Sequence, residues 1–95
     1  MSRTLSIAIF KVVKSKKKEC LALIKELFQF LRMSGYSYDL LYLNTKDPNI
    51  YINVRKWLSD EAREKAHKDP TVPKFWKKLN KVCKIIKIYE QLEEV

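Results

Sequence analysis

Residues 5–13 (LSIAIFKVV) are mostly aliphatic and β-branched with partial alternation, which predicts a first strand. The period then changes. From Ser15 onward, Cys20, Ile24, Leu27, Phe28 and Leu31 recur with the spacing of one helical face. Leu21, Leu23 and Phe30 widen that stripe, as a helix laid across a sheet requires. Ser15 is the expected N-cap, and Gly35, the only glycine, stands where a left-handed residue would end the helix.

Residues 36–43 (YSYDLLYL) and 50–57 (IYINVRKW) have the aromatic and β-branched content of strands. Residues 44–49 between them carry turn chemistry, so the pair predicts a hairpin. In the second strand, Ile50, Ile52 and Val54 alternate with Tyr51, Asn53, Arg55 and Trp57. The aliphatic set is expected to pack under the helices. The mixed set is odd for a core and is expected on a cavity wall.

Ser59 opens a second helix with Asp60 and Glu61 in its first turn, running to about His67 before Asp69 and Pro70. Helical spacing resumes over residues 72–82 through Val72, Phe75, Trp76, Leu79 and Val82. Residues 83–90 (CKIIKIYE) predict a fourth strand, followed by a short acidic tail. The order is β-α-β-β-α-β, a ferredoxin-like α+β fold with a four-stranded antiparallel sheet. Helices cover one face and leave the other open. In a single-domain chain the economical cover for that open face is a second copy.

Composition narrows the possibilities. A chain of 95 residues allows one domain over 1–95, and 46% hydrophobic content supports a packed core. The net charge of +9 admits an acidic partner, but 16 of the 20 basic residues are Lys, whereas Arg forks do most bidentate base reading. No acid falls between Thr71 and Tyr89, so Lys74 to Lys87 form a basic strip. Phe75 and Trp76, interleaved with it, fall on the apolar helical face, and a nucleic-acid partner is disfavoured. Cys20 and Cys83 show no CxxC or Cys/His spacing, so no metal site is expected. They read as two reduced, buried thiols of a cytoplasmic protein. Lys11 interrupts the N-terminal apolar run and no small-residue cleavage site follows, which argues against a signal peptide or membrane span.

From Ile50 onward a strand ends in Trp57, followed by Ser59, a short helix with Ala62, then His67 and a Pro-bounded second helix. This stretch, WLSDEAREKAHKDPTVPKFW from Trp57, resembles the antibiotic-biosynthesis monooxygenase (ABM) family of the dimeric α/β-barrel superfamily. The N-terminal half follows the family only in strand–helix order. The resemblance implies a homodimer whose sheets pack face to face, with a pocket in each protomer between sheet and helices. Relatives include cofactor-independent oxygenases acting on quinols or phenolic polyketides, and haem-degrading enzymes. In the cofactor-free oxygenases an Asn four residues before the Trp lines the pocket, a spacing that Asn53 and Trp57 reproduce.

Three catalytic candidates follow from the resemblance. The Asn53 amide would donate to a phenolate or peroxide oxygen, and Trp57 would stack on the ring and donate its indole N–H. His67, the only histidine, would take a phenolic proton, although the end of a helix also suits an imidazolium. Tyr51, Arg55, Arg63, Phe75 and Trp76 are the expected substrate contacts. Arg63 stands where a Tyr can line the pocket in such oxygenases, and Lys77 or Lys78 lies near a basic pocket position. Haem-degrading relatives use an Asn on the first strand, a Trp near the His67 position and an axial His on the next helix. Here the strand offers Ile7, Ala8, Ile9 and Phe10, and the helix carries Phe75 and Trp76, which argues against haem degradation by that constellation. Haem ligation through His67 stays open.

The resulting expectation is a small monooxygenase without cofactor or metal, acting on a quinol or phenolic aromatic. The alternative is a non-catalytic dimeric ligand-binding or interaction protein on the same scaffold.

Overall fold

The computed structural model describes residues 4–95. The chain runs β1 (Thr4–Val12), a 3-10 turn (Lys14–Lys16), α1 (Lys17–Met33), β2 (Ser37–Leu43), β3 (Ile50–Trp57), α2 (Asp60–Lys68), α3 (Thr71–Leu79) and β4 (Cys83–Glu93). The strands form one antiparallel sheet in the order β2-β3-β1-β4, so the topology is ferredoxin-like as expected. The second helical stretch is two helices. Pro70 cannot donate a backbone hydrogen bond and disfavours helix at Asp69, which is extended at φ −79°, ψ 118°. The Asp69 carboxylate then accepts from the Thr71 N–H at 2.9 Å and starts α3.

Cys20, Ile24, Leu27 and Leu31 of α1 are buried, and they are members of the stripe that the sequence pattern picks out. The start of α1 corrects the sequence expectation: Ser15 lies inside the 3-10 turn, and Lys16 precedes the helix without a side-chain cap. Its end agrees. Gly35 has φ +75°, its N–H donates to Arg32 O at 3.1 Å, and the Tyr36 N–H donates to Leu31 O at 2.9 Å. Those two bonds close a Schellman motif, which needs a left-handed residue at that position. β4 extends through Glu93, taking in most of the acidic tail.

Phe10, Val12, Leu27, Leu31, Tyr51, Leu79 and Val82 share the core with Cys20 and Cys83. The two thiols are hydrogen-bonded to each other, and that bond together with burial pushes the Cys20 thiol well above its ordinary range.

The faces of the sheet are the reverse of the expectation. Tyr51, Asn53 and Trp57 are buried, while Ile50, Ile52 and Val54 are only half-buried. The mixed set of β3 therefore lies under the helices and the aliphatic set on the open side. Alternation separates two faces but does not say which is covered. On the open side two rows cross the sheet: Leu40, Val54, Ile7 and Tyr89, and Tyr42, Ile52, Ile9 and Lys87. Tyr42 is 53% exposed and Tyr89 43%. Among the described residues no helix is long and apolar enough to cross a membrane.

Candidate functional site

Between the sheet and the α2–α3 corner lies an open cleft of about 400 Å³, a size usual for small-molecule sites. Asn53, Arg55 and Trp57 of β3 line it, with His67 of α2, Trp76 of α3 and Glu90 of β4. Behind Asn53 and Trp76 a void of about 10 Å³ continues inward, walled by Phe10, Leu27 and Cys83 among others.

α2 is aimed by its first residues. The Ser59 hydroxyl accepts from the Ala62 N–H at 2.9 Å, capping the helix two residues beyond Trp57. Ala62 and Ala66 are buried, and such small side chains let the helix lie close to its neighbours. His67 consequently meets Trp57 edge-on, with ring centroids 5.8 Å apart and planes at 76°. His67 is exposed at the mouth.

The roof is pinned from below. Tyr36 Oη donates to Asp69 Oδ2 at 2.8 Å, tying the start of β2 to the α2–α3 corner. The Thr71 N–H and then the Tyr36 hydroxyl hold the Asp69 carboxyl below its ordinary range. The same bond raises the Tyr36 hydroxyl.

The floor is a polar cluster around a residue that sequence reasoning missed. The Asp39 side chain is fully buried, directly across the β2–β3 ladder from Arg55. Its Oδ2 accepts from Arg55 Nε at 2.7 Å and from Asn53 Nδ2 at 3.1 Å. Its Oδ1 accepts from the Ser37 hydroxyl at 2.7 Å. Asn53 Nδ2 also donates to Leu40 O at 3.3 Å. The Arg55 guanidinium lies 5.6 Å from the Trp57 ring centroid, and its Nη2 is buried with no hydrogen-bond partner among the described residues. The sequence does contain a signal for this cluster: Asp39 is the single acid in YSYDLLYL. Only the strand register turns that acid into the partner of Arg55.

The donors expected at the site are therefore committed elsewhere. The Asn53 amide group donates into β2, towards Asp39 and Leu40. The Trp57 indole N–H donates to the Ser6 hydroxyl at 2.9 Å, and that hydroxyl donates to the Glu90 carbonyl oxygen. What Asn53 keeps is its carbonyl oxygen, which acts as an acceptor. What Trp57 keeps is its ring.

The structure brings Asn53, Arg55, Trp57, His67 and Trp76 to one cleft and leaves three expected contacts outside it. Tyr51 shares the face of Asn53 but lies deeper, stacked on Phe10 at 6.0 Å and 15°. Phe75 turns to Phe30, with ring centroids 6.1 Å apart. Arg63 sits half-buried on α2 away from the cleft, its Nε buried without a partner among the described residues. Lys77 and Lys78 are exposed. Among the described residues no cluster of His, Cys, Asp and Glu is arranged to hold a metal ion.

Solved structures share this architecture. An antibiotic biosynthesis monooxygenase matches with a TM-score of 0.78 at 16% identity, over 97% of this chain and 98% of that one. SnoaB, a cofactor-independent oxygenase from Streptomyces nogalater, matches with a TM-score of 0.74 at 14% identity, over 99% of this chain and 98% of that one. A conserved protein from Methanosarcina mazei matches with a TM-score of 0.74 at 17% identity, over 92% and 90% of the two chains. No family model and no curated protein matches the chain. Over nearly its whole length this chain has the fold of the antibiotic biosynthesis monooxygenase structures.

Proposed function

We propose that this protein is a small cofactor-independent monooxygenase that takes a phenolic or quinol-type aromatic into the cleft between sheet and α2–α3. The observation that carries the reading is the cleft wall, where two indoles, an amide and a guanidinium face one small-molecule-sized space. The fold shared with SnoaB, a cofactor-independent oxygenase, supports it.

The chemistry is available from the substrate alone. A phenol with an unsubstituted para carbon is electron-rich enough, once deprotonated, to reduce dioxygen. One oxygen atom replaces the para hydrogen as a carbonyl and the other leaves as water. The four electrons come from the O–H and C–H bonds, so the phenol becomes a quinone. Trp57 and Trp76 sandwich or flank the ring, and His67 at the mouth accepts the phenolic proton.

A second copy on the open face completes the proposal. Leu40, Ile52, Val54, Tyr42 and Tyr89 form a continuous apolar surface that a homodimer would bury sheet against sheet.

Oxygen uptake with a panel of phenols and quinols, against matched spontaneous oxidation, tests the enzymatic reading. Uptake that saturates with substrate and falls about tenfold or more in folded Trp57→Phe is the expected result. Saturable binding without excess uptake would select the non-catalytic ligand-binding alternative.

A further inference from the structure

The cleft's hydrogen-bonding polarity is decided one layer below its wall. Asp39, fully buried, receives the Arg55 Nε–H and one of the two Asn53 amide donations, and Leu40 O receives the other. A carboxylate and a backbone carbonyl can only accept, so turning the NH₂ group of Asn53 to the cleft would lose both bonds and set its amide oxygen against two acceptors. The oxygen is the atom left to face a ligand. Asp39 also places a negative charge 2.7 Å from the Arg55 guanidinium on the cleft wall, so Arg55 and Asp39 act together as a compact, nearly neutral dipole.

We propose that Asp39 is a positioning residue that sets this cleft to take an aromatic through a neutral hydroxyl group rather than through its oxyanion. The inference rests on the cleft being a phenol site, as proposed above, and goes on to name the protonation state it selects. A phenolic O–H donates to Asn53 Oδ1, whereas a phenolate, with no proton to give, would set its charge against that oxygen. The Arg55 Nη2 is buried below the wall and offers no compensating bond from within the cleft. The other titratable groups around the cleft are His67 from α2 and Glu90 from β4. α3 contributes Val72 and Trp76, and β1 contributes Ser6, Ile7 and Ala8. Beyond Arg55 and His67, no described residue of the lining brings a cation that would favour a bound phenolate. The proton therefore leaves after binding, to His67 at the mouth, and not before.

Binding of 4-nitrophenol to the intact protein tests this without requiring turnover, because its phenol and phenolate absorb at different wavelengths. The apparent pKa of the bound probe is expected to rise above its value in buffer, by about one unit for a tenfold preference for the phenol. In Asp39→Asn an amide oxygen can still accept from Asn53 and Arg55 while the compensating charge is gone. The bound pKa is expected to fall by about one unit or more relative to wild type. Asn53→Leu, which removes the acceptor and leaves the Arg55–Asp39 pair, is expected to weaken binding of the phenol form about tenfold. A bound pKa lowered in the wild type, or identical in wild type and Asp39→Asn, overturns the inference and leaves the aromatic site standing. No saturable spectral change at any pH overturns both.

Discussion

The two faces of the sheet differ in a way that runs against the simplest rule of folding. The face under the helices carries an amide, a guanidinium, a carboxylate and an indole. The face without helices is the more aliphatic one, with Ile7, Ile9, Leu40, Ile52 and Val54 in adjoining positions. The covered face tolerates its polar groups because nearly all of them are paired. Asp39 accepts three hydrogen bonds and Trp57 donates its one. The open face is largely apolar, and no helix among the described residues lies on it. A covered polar face is what a ligand site needs, and an uncovered apolar face is what assembly needs.

The largest effect should come from breaking the covered cluster. Asp39→Ala would leave Arg55 buried without its partner and two Asn53 and Ser37 donors unsatisfied, a change that costs about 3–5 kcal/mol when a buried pair loses one member. Urea unfolding should show that loss, whereas Asp39→Asn, which keeps the hydrogen bonds but not the charge, should lose less. If Asp39→Ala unfolds at the wild-type urea concentration, the cluster is not what holds β2 to β3 at this face.

A smaller effect on stability, with a different readout, belongs to the open face. Ile52→Lys should leave the protomer folded but shift its mass in solution from twice the 11.4 kDa chain to that of one chain. Light scattering on both proteins measures this. A wild-type protein that is already monomeric would contradict the assignment of the aliphatic face to assembly.

The smallest effect concerns the roof of the cleft. The Asp69 carboxyl is held below its ordinary range by the Thr71 N–H and the Tyr36 hydroxyl, so the native state takes up its proton at lower pH than the unfolded chain. That tie contributes fully above the ordinary carboxylate range and is lost as pH falls through the native value. In Asp69→Asn the decline of stability between about pH 6 and about pH 2 should be shallower than in wild type. Parallel declines would mean that the corner is held by packing alone.

The sequence pattern reaches most of the architecture and part of the site. α1 is legible because one stripe from Cys20 to Leu31 is unbroken and Gly35 is the only residue of its kind. The hairpin is legible because turn residues separate two strands of clear composition. Alternation in β3 separates Asn53, Arg55 and Trp57 from Ile50, Ile52 and Val54 correctly. It assigns the cover to the wrong side, because hydrophobicity is read as burial within one chain and this chain leaves its aliphatic face open. Tyr51 and Asn53 share a face, yet the β1–β3 register sets Tyr51 against Phe10 in the core while Asn53 meets the cleft. Asp39 is invisible until register sets it across from Arg55. The direction in which Asn53 points its amide follows from that register and from nothing local.

The central claim is that ligands belong to the covered polar face and the partner to the open aliphatic one. Amide and indole resonances followed during titration with 4-nitrophenol separate the two directly. The account predicts that the Trp57 and Trp76 indoles and the Asn53 side-chain amide shift together, with Ile52, Val54 and Tyr42 unmoved. Shifts confined to Ile52, Val54, Tyr42 and Tyr89 would place the ligand on the open face and contradict it.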